Sequence, residues 1–338
     1  MSRLLPFIAL CALAAAVPAS TVAKAPPSWA EAEIRAVVAN GLLAPDVRSF
    51  RPDDLLTQGE LAELAATLSS SYVPIPAADP EAPVTVAQLD AMLVRALGLA
   101  EPAARFLRAA RAAGLSPPAR FGTEVVARLL GLRPNHPAGQ DELELLPGEP
   151  VTRAEAAYSA ARVLRFRGWE VGGVAAASLS FELPVLTPWQ KQILTVAVRL
   201  IGFPYVWGGT GGASAAPGSA GRGFDCSGFV WRVYKLQAYP GGADLAQTLR
   251  GRTTYAMSGE VAPGQRIALG KLQPADVVFF GAHGVHSRPA EVGHAGIYVG
   301  AGWMIHSSQN GVALSRLDGW YRKRFAWARR PLAEAGLA

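Results

Sequence analysis

Three stretches in the first half of the chain open the same way: Leu56-Thr57-Gln58-Gly59-Glu60-Leu61, Val84-Thr85-Val86-Ala87-Gln88-Leu89 and Val151-Thr152-Arg153-Ala154-Glu155-Ala156. In each, a threonine is followed three residues later by Glu or Gln, and apolar positions then recur at helical spacing. They run through Leu64 and Leu68, Met92 and Leu93, and Tyr158, Val163 and Leu164. This is the pattern of a capping box: the threonine oxygen takes the N3 amide and the Glu or Gln side chain reaches back to the cap amide. Another helix is predicted from Trp29 to Asn40, stopped by Gly41, and Arg111 to Leu115 repeats that helix–Gly–Leu ending. A longer irregular insertion, Pro117 to Pro150, interrupts the spacing before the third box.

The pattern changes after residue 171. Gly172-Gly173-Val174-Ala175-Ala176-Ala177-Ser178 offers few core-forming side chains and reads as a linker over residues 172–186. Thr187-Pro188-Trp189-Gln190 then opens a helix with a buried face at Ile193, Leu194, Val196, Ala197 and Leu200. Thr210 to Gly223 is nearly all small residues and predicts a mobile loop. Asp225 follows as an N-cap with Cys226 in the first turn, ahead of the apolar run Phe229, Val230, Trp231, Val233 and Tyr234. A short helix is expected over Arg252 to Met257. Strands are expected over Val277 to Phe280, Gly293 to Val299, Trp303 to His306 and Phe325 to Arg329, the middle two joined as a hairpin across Gly300-Ala301-Gly302.

Length and composition add boundaries to this picture. The 338 residues suffice for two domains with separate cores, and half of them are apolar. Arg3, the apolar run Leu4 to Val17 and the small residues after it read as a secretory signal over residues 1–23, too short to span a bilayer. No other stretch is long and apolar enough to do so. The expected organisation is therefore a signal (1–23), a helical region (24–171), a linker (172–186) and a second domain (187–338). Removal of the signal takes Cys11 with it, leaving Cys226 as a lone thiol that has no partner for an internal disulfide. Residues 24–180 carry 15 basic and 18 acidic side chains and residues 181–338 carry 16 and 8, within an overall charge of +6. The cationic second half suits a polyanionic wall surface, and no nucleic-acid-binding motif accompanies it.

The candidate chemistry centres on Cys226. At a helix start, free amides and the helix dipole favour thiolate over thiol. His294 and His306, both on expected strands, could supply the base; the plainer reading is an inert, packed cysteine. His283 and His286 form an H-x-x-H pair without a further ligand cluster and read as a solvent loop, so no metal or cofactor is expected. His136 reads as a surface residue. Trp207 and Trp303 suit a core position better than a sugar platform.

Two families can be named on these residues. Trp29-Ala30, Ile34, Asn40-Gly41-Leu42, Phe50-Arg51-Pro52 and Leu56 to Leu61 resemble an S-layer homology repeat, with degenerate second and third copies. That resemblance implies attachment to a cell-wall polysaccharide; the alternative is a helical packing module. Pro204-Tyr205-Val206-Trp207-Gly208-Gly209, Asp225-Cys226-Ser227-Gly228-Phe229, Leu272-Gln273-Pro274 with Asp276 to Phe280, His294 to Tyr298 and Met304-Ile305-His306 resemble, in order, the NlpC family of cell-wall cysteine peptidases. The fold implied is α+β: an all-α helical repeat region followed by a papain-like domain around a central antiparallel sheet. The activity implied is hydrolysis of peptidoglycan stem peptides, most often between γ-D-glutamyl and a diamino acid, by a secreted, wall-associated enzyme. Cys226, His294 and His306 would be catalytic, with Tyr205, Trp207, Asp225 and Ser227 facing the peptide and Asp225 toward its free amine. Alternatives are a muramoyl-alanine amidase or transpeptidase with the same thiol chemistry, or a non-catalytic wall-binding protein. The sequence departs from the family in the long Thr210 to Gly223 segment, in the Gly281 to Glu291 insertion and in Ala275, which stands where a glycine is usual.

Overall fold

The computed structural model describes residues 28–69, 73, 77–137, 139–211, 222–242 and 244–338. The expected signal and most of the Thr210 to Gly223 loop lie outside these residues.

The helical region contains α1 (Glu31–Ala39), α2 (Gln58–Leu68), α3 (Val86–Ala96), α4 (Ala100–Ala112), α5 (Phe121–Leu130), α6 (Arg153–Leu164) and α7 (Gly168–Leu179). The three threonine motifs begin α2, α3 and α6, and they close on one another in a ring. The amide of Leu56 donates to Val151 O (3.0 Å), that of Val151 to Val84 O (2.9 Å) and that of Val84 to Leu56 O (2.9 Å). Each repeat thus satisfies backbone groups that its own helix leaves open. Thr57 and Thr85 form complete capping boxes with Glu60 and Gln88. The third box is only half formed. Thr152 accepts from the Glu155 amide, but the Glu155 carboxylate turns to His136 Nε2 at 3.0 Å. His136 is accordingly buried at 5 % exposure rather than on the surface.

The expected linker is also revised. Residues 172–179 belong to α7, which packs on α4 and α5 and buries Val174 and Ser178. Its alanines are strong helix formers and Glu170 bonds the Arg167 amide, so once packing is available the small-residue run need not stay extended. The remainder, from residue 180 to 186, crosses over with Phe181 and Leu186 buried. Phe181 meets Phe106 of α4 (5.2 Å between ring centroids) and Trp303 of the second half (5.4 Å).

As a result the two halves share one continuous hydrophobic core, running from Leu56 through Phe121 and Val125 to Ile193, Phe229, Ile305 and Leu332. The two separate cores expected from chain length are replaced by this one, with smaller clusters under α1 and on the outer face of the sheet. Polar ties cross the same seam. Arg128 of α5 donates to Asn310 O at 2.7 Å and to Gly202 O, and Arg120 donates to Arg199 O at 3.0 Å.

The second half continues with α8 (Pro188–Arg199), α9 (Cys226–Trp231) extended by a π-helical turn over Arg232–Leu236, α10 (Leu245–Thr248) and α11 (Thr254–Gly259). Strands β1 (Val277–Gly281), β2 (Val292–Gly300), β3 (Trp303–Ser308), β4 (Gly311–Arg316) and β5 (Phe325–Arg329) follow, with α12 (Gly319–Arg324) before β5 and α13 (Pro331–Glu334) after it. The sheet is antiparallel throughout, in the order β4-β3-β2-β1-β5, giving the expected α+β class. β4 had no counterpart among the strands read from sequence. The β2–β3 turn places Ala301 (φ 48°) and Gly302 (φ 77°) in the left-handed region, as a two-residue hairpin requires. Ala275 also sits at φ 71°, which explains why glycine is usual there and marks a position of backbone strain.

Candidate active site

Helix α9 starts as its sequence predicts. Asp225 is the N-cap, its Oδ1 accepting from the Gly228 amide. The helix lies against β2 and β3, and it comes so near the Gly208–Gly209 turn that a Cβ on Gly228 would meet Gly209 O at 1.9 Å. Only glycine allows that approach. Cys226 is partly exposed, and its Sγ lies 4.0 Å from the carbonyl oxygen of Gly293, the residue before His294.

Cys226 and His294 line one cavity of about 500 Å³, together with Tyr205, Trp207, Asp225 and Ser227. The structure thus brings to this cavity every site residue named from sequence except His306, which stands behind His294. His294 Nε2 is 2.8 Å from His306 Nδ1, and His306 Nε2 is 2.9 Å from Ser315 Oγ on β4. Gly296 makes this pairing possible. It lies between His294 and Tyr298 on one face of β2, where a Cβ would press on His306 Cβ at 3.0 Å. Phe280 and Tyr321 pack against His294 at 5.7 and 6.0 Å between centroids, and Tyr321 is 5.0 Å from His306.

This enclosure sets the protonation states. Burial pushes the Cys226 thiol up to about 11 and the Asp225 carboxylate acts in the same direction, while the amides of Ala295, Ser227 and Cys226 pull it down. The amides at the helix start are thus present but outweighed, and the expected bias toward thiolate does not hold in the resting protein. Burial lowers His294 to about 4 and takes His306 well below its ordinary value, with His294 adding to the latter. At neutral pH the thiol and both imidazoles are uncharged. Tyr205 is pushed up to about 12, by burial first and then by Cys226 and Asp225, so its phenol keeps its proton.

Asp225 is more heavily committed than the sequence suggests. Arg252 donates to Oδ1 and Oδ2, each at 3.1 Å, and the Gly208 amide donates to Oδ2 at 3.0 Å. The Ser227 hydroxyl donates to Oδ1 at 3.0 Å, and Arg252 also reaches the carbonyls of Gly208 and Gly209. A guanidinium fork therefore ties the helix cap to the Tyr205 segment. Trp207 stands at the rim, 75 % exposed, while Trp303 is fully buried. His283 and His286 lie exposed on the insertion before β2, away from the cavity.

Sequence reading missed Arg252, Ser315, Tyr321 and Asn135, all of which bear on the site. Arg252 precedes the Thr253 cap of α11 and carried no signal of its own. Ser315 could have been reached from a β3–β4 hairpin register, in which Met304 faces Ser315 and His306 faces Ala313.

Residues 202–330 match the NlpC/P60 family and residues 20–62 match the S-layer homology domain. A gamma-D-glutamyl-L-lysine dipeptidyl-peptidase of Bacillus subtilis (strain 168) is 26% identical over 147 residues, which are 43% of this chain and 42% of that protein. The probable peptidoglycan endopeptidase LytE of the same organism is 35% identical over 141 residues, covering 41% of this chain and 34% of LytE. Among solved structures, the NlpC/p60 domain of the peptidoglycan hydrolase SagA is 26% identical, covering 41% of this chain and 97% of that one, with a TM-score of 0.29. An NlpC/P60 family protein from Bacillus cereus ATCC 10987 is also 26% identical, covering 45% of this chain and 43% of that chain, with a TM-score of 0.33. The chain spans less than half the length of these two curated relatives. The stretch that matches the NlpC/P60 family contains Cys226, His294 and His306, and the stretch that matches the S-layer homology domain precedes it.

Proposed function

We propose that the chain is an exported, wall-associated hydrolase that cuts peptidoglycan stem peptides, between γ-D-glutamyl and a diamino acid, by acyl transfer through Cys226. The observation that carries this reading is the shared cavity: a thiol at a helix start and an imidazole backed by a second imidazole, open to a peptide-sized space. The names of the relatives, a gamma-D-glutamyl-L-lysine dipeptidyl-peptidase and a probable peptidoglycan endopeptidase, support the choice of bond class. The S-layer homology match supports a place at the wall.

The proposed proton transfer uses one of the two tautomers that the hydrogen-bond chain allows. With Nε2–H of His294 donated to His306 Nδ1, and Nε2–H of His306 donated to Ser315, His294 keeps a free lone pair on Nδ1. The thiol proton passes to that nitrogen as Sγ attacks the amide carbon. The oxyanion that forms is held by the Cys226 amide and the protonated Tyr205 hydroxyl. Collapse breaks the C–N bond, and the departing amine takes the proton from His294. Water then attacks the thioester and gives a proton to His294; the C–S bond breaks, releasing the acid, and the proton returns to sulfur. Since both partners rest uncharged, charge separates only as the reaction begins.

Cys226→Ala should abolish release of peptide fragments from purified wall while the thermal unfolding midpoint is retained. Mass spectrometry of wild-type products should place each new amine on the diamino acid. A new amine on alanine would reassign the chain as an amidase, and undiminished release by the variant would end the thiol reading.

A further inference from the structure

Positive charge is concentrated in one stretch of the second half. Residues 266–330 carry nine basic and three acidic side chains, so this stretch holds a charge equal to the +6 of the whole chain. All three acids are occupied. Asp276 pairs with Arg330 at 2.8 Å and Asp318 with Arg316 at 2.9 Å, while Glu291 meets His283 at 3.4 Å and accepts from the Arg288 amide. Arg322, Lys323 and Arg324 stand consecutively on α12, and among the described residues none of the three makes an ion pair.

Helix α12 has two sides. Tyr321 turns inward onto Phe280 and the histidine pair, 5.4 Å from Phe280 and 5.0 Å from His306 between ring centroids. Trp320, Arg322 and Lys323 are left outside, with Trp320 55 % exposed. The indole is nonetheless held in place, edge-on to Tyr321 at 5.1 Å and with the Arg324 guanidinium 5.4 Å from its centroid. The 284–286 turn of the insertion before β2 lies alongside, so close that a Cβ on Gly284 would meet Lys323 O at 2.8 Å. That turn presents Val285, 66 % exposed. A plain solvated face mixes its charges and keeps large apolar side chains out of water, and this one does neither.

We infer that α12 and the adjoining 284–286 turn form a docking surface for an anionic lipid bilayer, with Trp320 and Val285 entering the headgroup boundary and Arg322, Lys323 and Arg324 meeting lipid phosphates. Charge complementarity gives the sign of the partner. The exposed indole and valine select lipid over a soluble polyanion, because a phosphate polymer would leave both apolar side chains in water. Among the described residues no helix is long and apolar enough to cross a membrane, and a surface of this kind lies on a bilayer without crossing it. The inference goes beyond the peptidase reading and stands without it.

The test is co-sedimentation of the chain from Lys24 onward, without the expected signal, with two kinds of vesicle at low salt. One contains phosphatidylglycerol and phosphatidylcholine in equal parts, and the other phosphatidylcholine alone. The protein should bind the first and be released from it by salt, and should bind the second far more weakly. Arg322→Gln combined with Lys323→Gln should weaken binding about thirtyfold, the worth of two cations at an anionic surface. Arg95→Gln combined with Arg111→Gln removes the same charge from exposed positions of the helical region and should weaken it less than about twofold. Trp320→Ala should weaken binding about fivefold, and Val285→Ser carries this arm should Trp320→Ala unfold. Equal losses from the two double variants would mean that net charge alone is read, and would overturn the inference. Unchanged binding by the apolar variants would overturn it as well. Binding to long-chain polyphosphate with none to vesicles would assign the surface to a soluble polyanion instead.

Discussion

Each half of the molecule buries a histidine almost completely, and the two are driven in opposite directions. His136, in the helical region, is 5 % exposed and His306, in the sheet, is 1 % exposed. Burial alone lowers both. At His136 the bond to Glu155 and the nearby Glu144 overcome it, so its pKa is raised and the imidazolium is favoured. At His306 the partners are a neutral imidazole and a serine hydroxyl, and its pKa falls well below the ordinary value. The first arrangement ties a loop to a helix. The second keeps an imidazole uncharged and able to take a proton. What a buried histidine can do is decided by whether its partner carries charge.

The largest expected effect breaks the second arrangement. His294→Gln should lower kcat for wall-peptide release about 10³-fold or more, and His306→Gln about 10²-fold, since the first removes the proposed proton acceptor and the second only its proposed orienting partner. A larger loss at His306 than at His294 would reverse the assigned roles. As the proposed proton acceptor, His294 must be neutral to act in the wild type. Because its pKa is lowered to about 4, kcat/KM should hold through pH 5 and fall only near pH 4. A limb near pH 6.5 would show a negative charge beside His294 in the free enzyme.

Glu155→Gln breaks the first arrangement, with a smaller effect of about 1–2 kcal/mol of stability. The sign is set by linkage. A histidine whose folded pKa is raised stabilises fully below its ordinary pKa, and that contribution is lost as pH rises through the folded value. The variant should therefore lose more stability at pH 5.5 than at pH 8.5, read from denaturant unfolding at both. Equal losses would mean that the pair contributes by packing alone. The smallest effect converts one arrangement toward the other. Ser315→Asp gives His306 the kind of partner that His136 has, and the acid limb of kcat/KM should move up by about one pH unit. An unmoved limb would show that residue 315 does not reach the histidine pair in solution.

Much of this was legible in the chain. Thr57, Thr85, Thr187 and Asp225 cap the helices they were expected to cap, because a cap depends on residues three positions apart. The strands carrying His294 and His306 followed from apolar alternation and a glycine-rich turn. Thr152 kept its half of the box but lost the other, because Glu155 found His136 across the fold. The 172–179 segment looked like a linker because its own side chains bury little, and it became a helix because α4 and α5 offered a surface.

The sequence by itself determined the local starts and stops and the order of the motifs, since those depend on neighbours along the chain, and it singled out the thiol and two histidines that are proposed to act together. Only the tertiary structure decided that thiol and imidazole rest uncharged, because burial and then Asp225 outweigh the helix amides at Cys226, and burial, with Phe280 and Tyr321 packed alongside, lowers His294. It also decided that Arg252 takes the Asp225 carboxylate and that Asn135 reaches the cavity from 91 positions upstream of Cys226. Charge states and cleft walls depend on what lies across space, and no spacing along the chain encodes that.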